Sequence, residues 1–127
     1  MALLNFNNDG FVLHSGRLSR FKVDCDALTR EDWEAVAELI SHRFLFREVI
    51  GIPRGGIPFA EALQPYITKF GHVLIVDDVY TTGRSMHEAR ATYLNRHPGE
   101  EVLGVVLFAR GRCPEWIEPV FSMEWPV

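Results

Sequence analysis

Apolar residues along this chain fall into two rhythms. Between Thr29 and His42, residues Trp33, Val36, Ala37 and Ile40 recur three and four positions apart, the spacing of one helical face. Thr29 followed by Glu31 and Asp32 makes an N-cap with acids in the first turn, so a helix is expected from about Arg30 to His42 as a core element. Elsewhere the apolar residues are continuous. Val73-Leu74-Ile75-Val76 and Glu101 to Ala109 (EVLGVVLFA) read as strands buried on both faces, and Glu48 to Ile52 as another strand. Helices separate them: one from about Ile57 to Gln64, stopped at Pro65, and one after Gly83 with Met86, Ala89, Tyr93 and Leu94 on one side, stopped at Asn95 to Gly99. Phe11-Val12-Leu13 and Arg20 to Asp24 flank a turn as a hairpin, and a last edge strand is expected near Val120 to Met123, with the tryptophans packing on the core. Strands alternating with helices define an α/β fold: an open parallel sheet of about four strands, helices on both faces, and a small N-terminal hairpin hood.

Composition narrows the class. At 127 residues and 47% hydrophobic, the chain suits a single domain over residues 1–127 with one core. A formal charge of -4 leaves no general basic surface for nucleic acid, so any anion site must be local. The first residues, MALLNFNNDGF, lack a basic n-region and an apolar core, and no stretch is long enough to span a bilayer; a cytoplasmic protein without a membrane partner is expected. Cys25 and Cys113 stand apart with no CxxC pair, as reduced thiols, and the five histidines show no metal-ligand spacing.

The chemistry is concentrated where strands end. Asp77 and Asp78 follow the Val73 to Val76 strand and give way to Thr81-Thr82-Gly83-Arg84-Ser85, a turn opening a helix. A helix N-terminus offers unpaired N–H groups and a positive dipole end, Gly83 permits close backbone approach, and the hydroxyls add donors, which suits a phosphate monoester. The nearby carboxylates can accept hydrogen bonds from sugar hydroxyls or bind hydrated magnesium, so the implied ligand is a sugar phosphate. A lone DD pair or TTG turn is more often a solvated strand end and a helix cap. Upstream, Pro53-Arg54-Gly55-Gly56-Ile57-Pro58 combines a charged fork, two glycines and a proline suited to a first helical turn: a second anion cradle, or by itself a tight turn. Arg110 follows the Glu101 to Ala109 strand at the end where open α/β sheets bind ligands.

The order of features in VLIVDDVYTTGRS resembles, residue for residue, the 5-phosphoribosyl-1-pyrophosphate (PRPP) motif of type I phosphoribosyltransferases. The resemblance implies that Asp77 and Asp78 face the ribose hydroxyls and hold Mg2+, directly or through water, while Thr81, Thr82, Gly83, Arg84 and Ser85 wrap the 5-phosphate. GIPRGGIP resembles the pyrophosphate loop of that family, which assigns Arg54, Gly55 and Gly56 to pyrophosphate and implies a strained or cis peptide near Arg54-Gly55. Two further segments are similar to orotate phosphoribosyltransferases: Ser15-Gly16-Arg17-Leu18-Ser19 resembles their SGRxS hood, with His14 where a lysine is common, and FARGRC resembles the segment whose arginine reads the pyrimidine. Arg110 and His14 are thereby implied as base contacts. The family implies transfer of ribose 5-phosphate from PRPP to a nucleobase, an orotate-like pyrimidine here, by a homodimer in nucleotide metabolism. One departure is large. Ile57 to His72 is too short for the additional strand and long basic loop that orotate enzymes carry there, so no catalytic residue is transferred and no general base is evident. The same pocket without that loop would serve a non-catalytic PRPP- or nucleotide-binding regulator.

Overall fold

The structure, a computed structural model, describes residues 3–12 and 18–123. Two sheets form. Strands β1 (Leu4–Val12) and β2 (Leu18–Val23) make an antiparallel hairpin, with Leu4 opposite Val23 and an irregularity between Phe6 and Phe11. The first strand starts well before the expected Phe11, because Asn5, Asn7, Asn8 and Asp9 hide it from an apolar pattern. His14, with Ser15 to Arg17, lies outside the described residues.

Four parallel strands make the second sheet in the order β3-β4-β5-β6: β3 (Phe46–Gly51), β4 (His72–Tyr80), β5 (Val102–Ala109) and β6 (Ile117–Ser122). Pro119 sits on the edge strand β6, where a missing N–H is tolerated. Helix α1 (Arg30–Arg43) begins at the expected cap: Asp32 N–H donates to Thr29 Oγ1 at 3.2 Å and Thr29 N–H donates to Asp32 Oδ2 at 2.9 Å. Helix α2 (Ile57–Leu63) and a 3-10 turn at Gln64–Tyr66 connect β3 to β4; α3 (Arg84–Arg96) connects β4 to β5. No strand and no long loop stands between α2 and β4, as the short interval required. Residues 110–116 carry the chain from β5 to the parallel β6 without a helix.

Strand alternation divides the interior. Leu74, Val76, Val105 and Leu107 pack with Trp33, Ala37 and Ile40 of α1 and Phe59, Ala60 and Leu63 of α2; Ile75, Val106 and Ile117 pack on the other face with Met86 of α3. Each such fully buried side chain stabilises the fold by about 1.5–3 kcal/mol. Helices therefore cover both faces. The thin cover is α3, of which Met86 alone is fully buried, and Trp116 extends it by packing over Gly104.

Registers fix what the carboxyl ends offer. Gly51, the last residue of β3, lies opposite Val76, whereas Tyr80, the last of β4, lies opposite Ala109. Strand β4 thus runs on past the end of β3, carrying Asp77 and Asp78 with it, because β5 continues to pair it. The acids are within the strand's end, a little short of the turn itself.

Candidate functional site

Three turns meet at this end of the sheet. After β3, residues Pro53–Gly56 wrap tightly: Gly56 N–H donates to the Ile52 carbonyl at 2.8 Å, Ile57 N–H to the Arg54 carbonyl at 3.2 Å, and Ile52 N–H to the Val76 carbonyl at 2.9 Å. The Pro53–Arg54 peptide is cis, one bond before the position expected. No side chain fits at Gly56, where a Cβ would strike the Val76 carbonyl oxygen and come within 2.7 Å of the Ile52 nitrogen. Gly55 presses on Asp78: its Cβ would land on the Asp78 carboxylate, with Cγ at 2.5 Å. Arg54 is exposed beside them. Because the Gly56 N–H is already spent on Ile52, Gly56 serves the turn's shape, leaving Arg54 and Gly55 as the residues that face outward.

After β4, the second turn is built differently. Gly83 has φ +78, a left-handed conformation that side-chain-bearing residues avoid, and it caps α3 without offering any side chain to the first-turn N–H groups. Thr82 Oγ1 accepts a long hydrogen bond from Arg84 N–H at 3.4 Å. Thr82 and Ser85 are exposed and Thr81 half-buried, and with Asp77 and Tyr80 they line one small hollow. Arg84 turns along the helix to Glu88, Nε to Oε1 at 3.1 Å, a solvent-exposed i,i+4 pair worth only tenths of a kcal/mol.

Between the turns stand the two carboxylates. Asp78 N–H donates to Asp77 Oδ1 and Val79 N–H to Asp78 Oδ1, each at 2.8 Å, so one oxygen of each acid is held by the backbone. Burial pushes the Asp77 carboxyl well above the usual carboxylate range, and the hydrogen bond and charge of the adjoining Asp78 add to it. A pair that resists double ionisation fits a cation. Among the described residues no group of three or more histidine, cysteine or carboxylate side chains could hold a metal unaided. Two carboxylates alone offer part of a shell of hard oxygen donors, which other ligands would have to complete.

Arg110, at the end of β5, is half-buried, and its N–H donates to the Tyr80 carbonyl at 2.9 Å. It thus stands next to the second turn, on the side away from Arg54 across the sheet order. Cys25 lies behind the acids in the core; desolvation first, then Asp78, Asp24, Asp26 and Asp77, push its thiol up to about 12, so it is no nucleophile. Both cysteines are free thiols, as expected. One residue of the hollow escaped the sequence reading, Tyr80. Only the register of YTTG against FAR could have pointed to Tyr80.

Comparisons with known proteins agree with this geometry. Residues 65–125 match the family model of the phosphoribosyl transferase domain, a span that includes both acids and the second turn. A comparison with curated proteins finds no match. Among solved structures, the chain is similar to UMP synthase of Leishmania donovani (22% identity, TM-score 0.65), covering 95% of this chain and 34% of that one, so it spans about a third of that enzyme. It also resembles orotate phosphoribosyltransferase of Mycobacterium tuberculosis in complex with PRPP (19% identity, TM-score 0.62, 88% of this chain and 86% of that one). Xanthine-guanine-hypoxanthine phosphoribosyltransferase of Helicobacter pylori is more distant, at 14% identity and TM-score 0.52 over 70% of this chain and 85% of that one. The chain has the open α/β fold of the type I phosphoribosyltransferases and is similar in fold to the orotate enzymes. Among the described residues no helix is long and apolar enough to cross a membrane.

Proposed function

We propose that the protein transfers ribose 5-phosphate from PRPP to a nucleobase, an orotate-like pyrimidine, and releases pyrophosphate. One observation carries this reading: two turns suited to anions flank a carboxylate pair, with Asp78 against Gly55 and Asp77 in the hollow of Thr81–Ser85. A ligand with a phosphate at one end, a pyrophosphate at the other and vicinal hydroxyls between them matches that order. In the reaction the C1–oxygen bond to pyrophosphate breaks as the bond from a base nitrogen to C1 forms, and the proton displaced from the base leaves to solvent. Magnesium, when bound with PRPP, would neutralise charge on the departing pyrophosphate.

The chain's own part is positioning. Arg54 and the Gly55 backbone hold the leaving group; Asp77 and Asp78 accept the ribose hydroxyls. Thr81, Thr82, Gly83 and Ser85, with the first N–H groups of α3, retain the 5-phosphate, and Arg84 adds a mobile positive charge at the rim. Arg110 meets the base, with His14 of the hood as its counterpart. Burial, which raises the Asp77 carboxyl, disfavours its charged form until ligand and cation arrive.

A second reading, a PRPP- or nucleotide-binding regulator, is favoured by one feature: the direct passage from α2 to β4, which leaves no lid to exclude water from a cationic ribose centre. Incubation with PRPP, magnesium and a panel of bases, read by pyrophosphate release and nucleotide formation, decides between them. Pyrophosphate release with one base, at a kcat below the usual range of roughly 1 to 10³ s⁻¹ and with PRPP hydrolysis alongside, is the expected result. Inactivity with every base but tight PRPP or nucleotide binding would establish the regulator. Turnover within the usual range, matched one for one by nucleotide, would show that the hood or a second copy supplies the cover.

A further inference from the structure

Tyr80 is the last residue of β4 and is 6% exposed. Its phenol packs against Gly83: a Cβ there would fall on the hydroxyl, 2.5 Å from Cε2 and 2.6 Å from Cζ. Its ring belongs to the apolar cluster of Ile75, Met86, Val106 and Ala109, under the start of α3. Its main-chain carbonyl, meanwhile, accepts the Arg110 N–H at 2.9 Å. One residue therefore touches the second turn through its side chain and the β5 turn through its backbone. No other cap holds the start of α3, since Gly83 supplies no side chain and the Thr82 hydroxyl bond to Arg84 N–H is long, at 3.4 Å.

We propose that Tyr80 is a positioning residue that braces Gly83 from below, keeping the first N–H groups of α3 aimed at the 5-phosphate before ligand arrives. The inference rests on the sugar-phosphate reading of that turn and adds to it. A left-handed glycine with no side-chain cap is free to swing; a buried ring against its Cα removes that freedom, so the amides need no reordering when phosphate binds. The brace acts on one end of the site only. Pro53–Gly56 makes its own main-chain bonds.

The test uses ribose 5-phosphate and magnesium pyrophosphate as separate probes of the two ends, measured by calorimetry. Tyr80→Leu should weaken ribose 5-phosphate about tenfold and leave magnesium pyrophosphate within about twofold, while Tyr80→Phe, which keeps the ring, should bind both nearly as wild type. An equal loss for both probes, or none for ribose 5-phosphate, overturns the proposal. Amide exchange in the free protein gives a second readout. The His87 N–H, bonded to the Gly83 carbonyl at 2.9 Å, should exchange faster in Tyr80→Leu and not in Tyr80→Phe, and unchanged exchange would sink the brace even if wild type bound no sugar phosphate, the outcome that would remove the site reading itself. Should Tyr80→Leu fail to fold, Tyr80→Met, which keeps apolar volume without the ring, is measured in the same way; the same split between probes supports the brace and an equal loss overturns it.

Discussion

The turns after β3 and β4 occupy equivalent places in the sheet yet are held by different means. Pro53–Gly56 is closed by its own main chain, with Gly56 N–H and the Arg54 carbonyl both engaged, so what it presents is a side-chain charge, Arg54. Thr81–Ser85 has few bonds of its own, leans on a buried phenol, and presents backbone dipoles at the start of a thirteen-residue helix. A guanidinium can follow a group that departs, whereas fixed amides suit a group that must stay. Under the proposed reaction, the contrast would suit a leaving pyrophosphate at the first turn and a retained 5-phosphate at the second.

The largest effect that would break this comparison is structural. Gly56→Ala drives a methyl group into the Val76 carbonyl and the Ile52 backbone, neither of which can yield as a flexible side chain would. A loss of roughly 3 kcal/mol or more in denaturant melts is expected. A near-neutral result would mean that the first turn is as pliable as the second.

Arg54→Ala should cost about 1.5–3 kcal/mol of magnesium pyrophosphate affinity, the scale of a charged hydrogen bond, and leave ribose 5-phosphate unaffected. Equal losses for the two ligands would erase the division of labour. Asp78→Asn tests the middle of the site: PRPP binding should weaken by about 1–3 kcal/mol. Equal affinity in calorimetry, with the fold intact, would remove Asp78 from it.

The smallest effect concerns Asp77 without ligand. Its carboxyl titrates higher in the folded chain than in the unfolded one, so below the ordinary carboxylate range both states are protonated and its contribution is whole; stability is lost as pH rises through the elevated value. Asp77→Asn, which cannot ionise, should match wild type near pH 4 and exceed it by roughly 0.5–2 kcal/mol at pH 8. A thermal melt series across that range, showing parallel curves, would contradict the buried-acid account.

Much of this was legible from residues alone. Period and run length located α1, α2, α3 and the strands β3, β4 and β5 to within a few residues, since each carries its own apolar signature and stop signal. Hairpin strand β1 was shortened by its asparagines, and β6 was expected three residues late because Pro119 and the Trp116 turn blurred its start. VLIVDDVYTTGRS and GIPRGGIP marked the two turns that the fold brings to one end of the sheet, because glycine, hydroxyl and cation at fixed local spacing are recorded in a linear string.

Distances across the sheet are another matter. That Asp78 rests on Gly55, that Gly56 spends its N–H inside the turn, and that burial raises the Asp77 carboxyl all depend on β4 outrunning β3, a register set by parallel pairing between segments far apart in the chain. Tyr80 is the plainest case. In the string it is one more aromatic at a strand end; only the packed sheet sets its ring beneath Gly83 and its carbonyl on Arg110. Local spacing selects which groups are present, whereas burial and register decide which of them remain available to a ligand, because only tertiary contacts remove water and consume backbone donors.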